Sequence, residues 1–278
     1  MKKRAILVGI LIGLWVSVQI LVLPSNSLAE ESPTQSTKIG DNLYLNIGLK
    51  TWLASWQTTI LSAPSISGAH VNALTSDPTT VLIPSLSLRY KNVFVSGGYF
   101  ASTNFKFPTS SELASLSPPS GIVLATQTVS VKRDEMDLNL GYSITSNFAV
   151  SIGYKTVRQR YHTTETIEGL PDATADDTTR ISGPTIGASG TAPIGGGFNL
   201  YGNISYGLIT EKTTEMSEKG DYVSSELGIA YRFHSLTISG GYKYQIISAS
   251  TGDNIPGFPK QSTLDVTRGA ILGVNWIF

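Results

Sequence analysis

Hydrophobic and polar residues alternate along this chain. In Asp137 to Tyr154, DLNLGYSITSNFAVSIGY, Leu138, Leu140 and Tyr142 share one parity, and Asp137, Asn139 and Gly141 share the other. Past Thr145-Ser146-Asn147, Phe148, Val150, Ile152 and Tyr154 continue the apolar side while Ala149, Ser151 and Gly153 continue the small one. A period of two is the signature of a half-buried strand. It recurs from end to end and predicts ten strands, at about 42–56, 79–90, 93–106, 126–143, 147–162, 178–192, 198–211, 220–233, 236–249 and 262–278. Short turns are expected at Lys91-Asn92, Thr145-Ser146, Ile194 to Gly197 and His234-Ser235. Longer links fall at about 57–78, 107–125, 163–177, 212–219 and 250–261. Short connections on one side and long ones on the other describe an even-numbered meander. A transmembrane barrel sorts its connections this way.

The two faces decide which side meets what. One carries Val93, Val95 and Tyr99; Leu138, Leu140 and Tyr142; Leu227, Ile229, Tyr231 and Phe233; Leu236, Ile238 and Tyr242. The other carries Ser85, Ser87, Ser96, Gly98, Asn139, Ser151, Asn203, Ser205 and Ser239. Only 14% of residues are charged, against about 25% in a soluble domain, too few to coat the outside of a soluble barrel. The pattern therefore predicts apolar side chains outward and small polar ones inward. Tyr90, Tyr142, Phe148, Phe198, Phe233 and Phe278 form an expected lower aromatic girdle, with Tyr99, Tyr154, Tyr206 and Tyr242 above it. Six to eight tilted residues separate the two, which spans about 15–20 Å. Strand six is the weak case: its outward parity reads Ser182, Pro184, Ala188, Gly190 and Ala192, which predicts irregularity or a subunit contact.

The ends fit the same picture. Lys2, Lys3 and Arg4, then a mostly apolar run from Ala5 to Leu23, then Ser27-Leu28-Ala29 follow the order of a secretory signal peptide. The alternative is an uncleaved membrane anchor, since the run is long enough to span. Residues 1–29 are read as the signal, 30–41 as a periplasmic lead-in and 42–278 as the barrel. Removing 1–29 takes three cations and no acid from a chain of 20 and 20, leaving a net charge of −3. Nothing basic enough for nucleic-acid binding remains. Cysteine is absent, so no disulfide stabilises the exported chain.

The final strand places Ala270, Leu272, Val274, Trp276 and Phe278 on one parity. In this ending, and in the alternation throughout, the chain resembles the Gram-negative outer-membrane β-barrel superfamily. That resemblance implies an all-β, up-and-down antiparallel transmembrane barrel in the cell outer membrane. It also implies that Trp276 and Phe278 serve as the assembly signal read by the barrel assembly machinery. It identifies an architecture and no activity.

Candidate chemistry lies inside and outside the ring. A two-residue loop at His234-Ser235 sets Glu226 opposite Lys243, both inward. Pairing Tyr142 with Phe148 sets Glu135 opposite Lys155 at the same height, and inward Lys50 lies near that level. Such a layer either knits the interior or lines a constriction that small solutes or ions feel. Outward, Lys132, Arg158, Arg160 and Arg268 rise above the apolar band, with Lys132 expected to face Arg158. They suit lipopolysaccharide phosphates or form a solvated rim. Glu165, Glu168, Asp172, Asp176 and Asp177 follow no calcium-loop spacing and read as a solvated acidic loop; no cofactor or metal is expected. Enzyme function is not expected either. The chain lacks the D-x-D and D-x-H of omptin proteases, and its one strand histidine at the rim, His162, lacks the serine two positions on sought for a lipid A deacylase. Passive passage of small solutes or ions through a narrow lumen is the leading expectation, and a surface-exposed structural or adhesion barrel is the alternative.

Overall fold

The computed structural model describes residues 43–59, 74–115, 122–167, 169–213, 217–250 and 262–278. The expected signal peptide and lead-in, most of the first and last long links and parts of the other three lie outside the described residues. Twelve strands are formed: β1 (Leu43–Thr58), β2 (Leu74–Thr75), β3 (Thr79–Tyr90), β4 (Val93–Lys106), β5 (Ser110–Ser115), β6 (Ile122–Ser143), β7 (Phe148–Ile167), β8 (Ala173–Gly195), β9 (Phe198–Lys212), β10 (Ser217–Phe233), β11 (Leu236–Ser250) and β12 (Ser262–Ile277). Ten of them form a closed antiparallel barrel, because each pairs with its neighbour in chain order and β12 pairs back on β1 from Asn46↔Ile277 to Thr58↔Asp265. Short β2 and β5 add to β1 and β6 outside this ring. Closure pairs the strands around the ring, as hydrocarbon requires of backbone groups, except that β3 and β4 pair only from Ser85↔Gly98 to Tyr90↔Val93. The last residue takes part in it. Phe278 N donates to Leu45 O at 2.8 Å and Leu45 N donates to Phe278 O at 3.1 Å.

The parity reading holds around the wall. Leu49, Leu138, Leu140, Ile152, Leu227, Ile229, Ile238, Leu272 and Val274 are all exposed, and so are the girdle rings of Tyr90, Tyr99, Tyr142, Tyr154 and Tyr242. The buried side chains belong to the other parity or to the far ends of the strands, except Asp134, which has the outward parity and is covered by Arg158 and Arg160. Pro184 does not break β8; it sits opposite Tyr154, and only its ladder with β9 is interrupted there. Pro84, which likewise lacks a donor, lies one residue from where pairing of β3 with β4 ends at Ser85↔Gly98.

Three local expectations change. The turn after β6 is four residues, Ile144 to Asn147, closed by Ile144 N donating to Phe148 O at 2.9 Å. Tyr142 therefore faces Val150 and not Phe148. The shift is two residues, so every side chain keeps its face. Second, the expected link at 163–177 is mostly strand, because β7 runs on to Ile167 and β8 begins at Ala173. Thr163, Thr164, Thr166, Ile167 and Thr174 are β-branched, and Thr164 lies opposite Thr174. Such residues favour a pleated surface over a loop. Third, the expected short turn at Ile194 to Gly197 is formed but tighter, since β8 runs on to Gly195; its three consecutive glycines have φ of +97°, +60° and +83°, a conformation that side chains rarely tolerate.

Candidate functional site: a filled lumen and a cationic outer face

From the tight-turn end upward the lumen has two parts. The lower part is an open cavity of about 350 Å³ lined by small polar side chains, among them Ser85, Ser96, Asn139, Ser151, Ser205 and Asn203. Its ceiling carries Lys50, Asp137, Glu226 and Lys243. The upper part is filled. Above that ceiling Arg133, Lys155, Gln159, Gln245 and Thr267 are inaccessible to water, as are Trp52, Trp56, Phe105, Val131 and Ile271. Trp52, Trp56, Phe100, Phe105, Phe107, Val129 and Val131 pack as one cluster on the β1, β4 and β6 side. Val157, Ile181, Ile209, Tyr222 and Ile247 pack as a second across the ring.

The charges at the boundary pair with one another, while Arg133 Nη2, Gln245 Oε1 and Trp56 Nε1 of the same filling are buried without a hydrogen-bond partner among the described residues. Glu135 meets Lys155 Nζ at 2.6 Å and Arg133 Nη2 at 2.5 Å. Gln245 Nε2 donates to Glu135 Oε1 at 3.0 Å. Lys155 also donates to Asp137 at 3.0 Å. Arg133 Nη1 donates to Thr267 Oγ1 at 3.0 Å, and its guanidinium lies over the Trp56 ring at 5.0 Å. Above them Asp265 accepts from Thr58 at 2.5 Å and from Gln159 at 3.0 Å. A buried charge without such partners would cost several kcal/mol (about 3–5 where one member of a pair is lost).

The five expected lumen residues all lie inward, as two separate ion pairs with Lys243 beside them: Lys50 with Glu226 at the cavity ceiling and Lys155 with Glu135 above it. Glu226 lies opposite Lys243 as expected, yet its ion pair is with Lys50 at 2.7 Å. Lys243 instead sits over the Trp52 ring at 5.2 Å. Lys155 faces Asp137 in the ladder and not Glu135, because of the four-residue turn, and reaches Glu135 diagonally. Sequence reasoning missed Arg133 at the centre of the network. Its signal was parity, since Arg133 is two positions from inward Glu135 on the same strand.

Outside, the same register shift sets Lys132 opposite Arg160 and Asp134 opposite Arg158, correcting the expected Lys132 and Arg158 pair. Asp134 accepts from Arg160 Nη2 at 2.8 Å and from Arg158 Nε at 3.2 Å. Two further cations join them: Arg180 lies opposite Arg158, and Lys212 opposite Arg180. Arg268 does not belong to this group; its ladder neighbours on β1 and β11 are Ser55 and Tyr244. At the rim His162 Nδ1 lies 2.8 Å from Asp176 Oδ1, a pairing across β7 and β8 that a search along one strand does not find. Ser130 is opposite His162 in the ladder, but no hydrogen bond links it to the ring among the described residues. At the chain end, Trp276 and Phe278 stack at 6.1 Å on the lower outer face.

No family model matches this chain, and no curated protein matches it in sequence. Among solved structures it is similar to the outer membrane protease OmpT from Escherichia coli, with a TM-score of 0.56 and 12% identity over 89% of this chain and 100% of that one. The toluene transporter TbuX of Ralstonia pickettii aligns at a TM-score of 0.36 and 11% identity, over 89% of this chain and 92% of that one. A Pseudomonas aeruginosa FadL homologue aligns at 0.36 and 9%, over 86% and 90%. At these identities the OmpT likeness is one of fold. The chain has the closed β-barrel architecture of outer-membrane proteins.

Proposed function

We propose that this protein is a surface-exposed structural or adhesion barrel of the outer membrane, shut through its middle and working through its outer face and rim. The observation that carries the reading is the filled lumen. Where Trp52, Trp56, Arg133 and Lys155 meet, no side chain touches water, and a passive solute path needs a hydrated cross-section. A second feature agrees. On β7, Ile167 lies thirteen residues beyond the upper girdle residue Tyr154, which raises the β6–β8 sheet about 30 Å past the apolar band. β5 widens that sheet by pairing with β6. Such a projecting, hydroxyl- and acid-rich blade presents surface outside the membrane. The apolar wall holds it in lipid, and the barrel assembly machinery would read Trp276 and Phe278.

The narrow-channel reading keeps one observation of its own. The 350 Å³ polar cavity opens at the tight-turn end and stops against Lys50, Asp137, Glu226 and Lys243, as half of a solute path would. Planar-bilayer recording separates the two. Wild-type protein is expected to give no steady current. A steady current whose ion preference changes in a Glu135→Gln, Glu226→Gln double variant would establish a channel and overturn the closed reading. A peptidase or phospholipase activity lost in His162→Ala would instead put the rim pair to catalytic use.

A further inference from the structure

The outer face of β6 to β9 carries five cations and, among the described residues, two acids, of which Asp176 is paired to His162 and Asp134 lies between the cations. Lys132, Arg158, Arg160, Arg180 and Lys212 are neighbours in the ladders, and Asp134 is the single carboxylate set among them. Three of these ladder positions put like charges directly opposite each other: Lys132 and Arg160, Arg158 and Arg180, Arg180 and Lys212. Opposed like charges destabilise a sheet, and Asp134 is already shared by two arginines. The arrangement lacks anions.

Three observations say where the missing anions come from. The first is height. On β7 the lipid-facing run ends at Tyr154, and Arg158 and Arg160 follow four and six residues later, about 10 and 15 Å higher along a tilted strand. On β9 the run ends at Leu208, four residues before Lys212, and on β6 it ends at Met136, immediately below Asp134 in the outward row. Long cationic side chains at this level reach back toward the headgroups. The second is shape: an open concavity of about 300 Å³ lies on this face, walled by Asp134, Arg158, Arg180, Thr156 and Ser182. The third is a donor, Arg160 Nε, that is buried without a hydrogen-bond partner among the described residues, as Arg133 Nη2 and Trp56 Nε1 are inside the ring; Arg160 alone of the three lies on the outer face.

We infer that this face is a binding site for the phosphate groups of an outer-leaflet glycolipid, held by Arg158, Arg160 and Arg180 with Lys132 and Lys212 at its margins. Guanidinium groups hold phosphate oxygens through paired, charge-assisted hydrogen bonds. The acyl chains of the same lipid lie against the apolar run below. The inference rests on the reading that the apolar wall meets lipid, and it does not depend on whether the lumen is open.

The test is native mass spectrometry of the refolded full chain in detergent, with lipid A carrying two phosphates as the probe. Wild-type barrel is expected to retain the lipid. The Arg158→Gln, Arg160→Gln, Arg180→Gln variant, with folding verified by heat-modifiable gel mobility, is expected to lose at least tenfold in retained lipid. Arg268→Gln, on the other side of the ring, is expected to match wild type. Asp134→Asn, which removes only the competing carboxylate, is expected to retain more lipid. Equal retention by wild type and the triple variant, or equal retention of dephosphorylated lipid A, overturns the site. So does displacement of the lipid by millimolar inorganic phosphate, which would mark a general anion patch. Wild-type protein that stays monodisperse without detergent overturns the membrane reading itself, a separate outcome.

Discussion

Two charged clusters lie at neighbouring levels of this barrel, one on each side of the same wall, and they are built on opposite terms. Inside, Arg133, Lys155, Glu135 and Asp137 are mutually paired and capped by Gln245 and Thr267. Outside, Asp134 is ion-paired to Arg158 and Arg160, and no ion pair of Lys132, Arg180 or Lys212 is formed among the described residues. Side chains alternate across the wall, so adjacent residues of one strand serve both: Arg133 and Glu135 point in while Lys132 and Asp134 point out. Burial without water forces a cluster to satisfy itself, because an unpaired buried ion costs too much to keep. A cluster at the lipid boundary is under no such demand, since its partners can come from the membrane. Balance marks structure here, and imbalance marks a site for something outside the chain.

The inner cluster gives the largest effect that would break this contrast. Glu135→Gln leaves Arg133 with Thr267 and leaves Lys155 with Asp137, stripping a carboxylate from the centre. The expected loss is about 3–5 kcal/mol, read as a lower denaturant midpoint at unchanged slope in micelles. A loss below about 1 kcal/mol would mean that the layer does not knit the lumen. Trp56→Ala, which empties the apolar part of the same filling where Trp56 meets Phe105 and Phe107 edge-on, is expected to cost a similar 3–5 kcal/mol or so. Both losses fall on the upper lumen. Removing Lys50 has a smaller effect, for its side chain is a quarter exposed at the cavity ceiling while Glu226 is buried. Lys50→Met leaves buried Glu226 with only Lys243 opposite it in the ladder and is expected to cost about 1–3 kcal/mol, and a cost as large as that of Glu135→Gln would place the floor of the filling lower than the burial pattern does.

How much of this was legible beforehand divides along physical lines. The ten strands, the closed ring and the outward apolar face follow from a period of two, which a shift of register by two residues leaves untouched. The inward direction of Lys50, Glu135, Lys155, Glu226 and Lys243 survives for the same reason, although the shift sets Lys155 level with Asp137. Which charge meets which did not follow, because partners depend on turn length and on reach across the lumen. A turn longer by two residues moves Lys155 from Glu135 to Asp137 in the ladder, and Lys50 comes from β1, three strands away around the ring, to take Glu226. Arg180 and Lys212 joined the outer cluster only when β8 and β9 were aligned. They were outward by parity all along, but lay beside a stretch read as loop. The projecting blade was hidden by the same habit of reading Thr- and Asp-rich sequence as turn.

The smallest expected effect separates the two clusters most sharply, because its sign depends on what surrounds the barrel. Arg180 faces Arg158 on one side and Lys212 on the other. In detergent without phosphorylated lipid these pairs repel, and Arg180→Gln is expected to stabilise the barrel by about 0.5 kcal/mol. With lipid A present the wild type gains whatever the bound lipid contributes, since a ligand that binds only the folded state raises its stability, while the variant gains less. The difference in midpoint between the two proteins is then expected to reverse. The same comparison made with Glu135→Gln is expected to show the same loss in both media, because no lipid reaches that carboxylate. A single sign for Arg180→Gln in both media would leave the outer cations as an ordinary solvated rim, and the contrast between a self-satisfied interior and an expectant exterior would fail there.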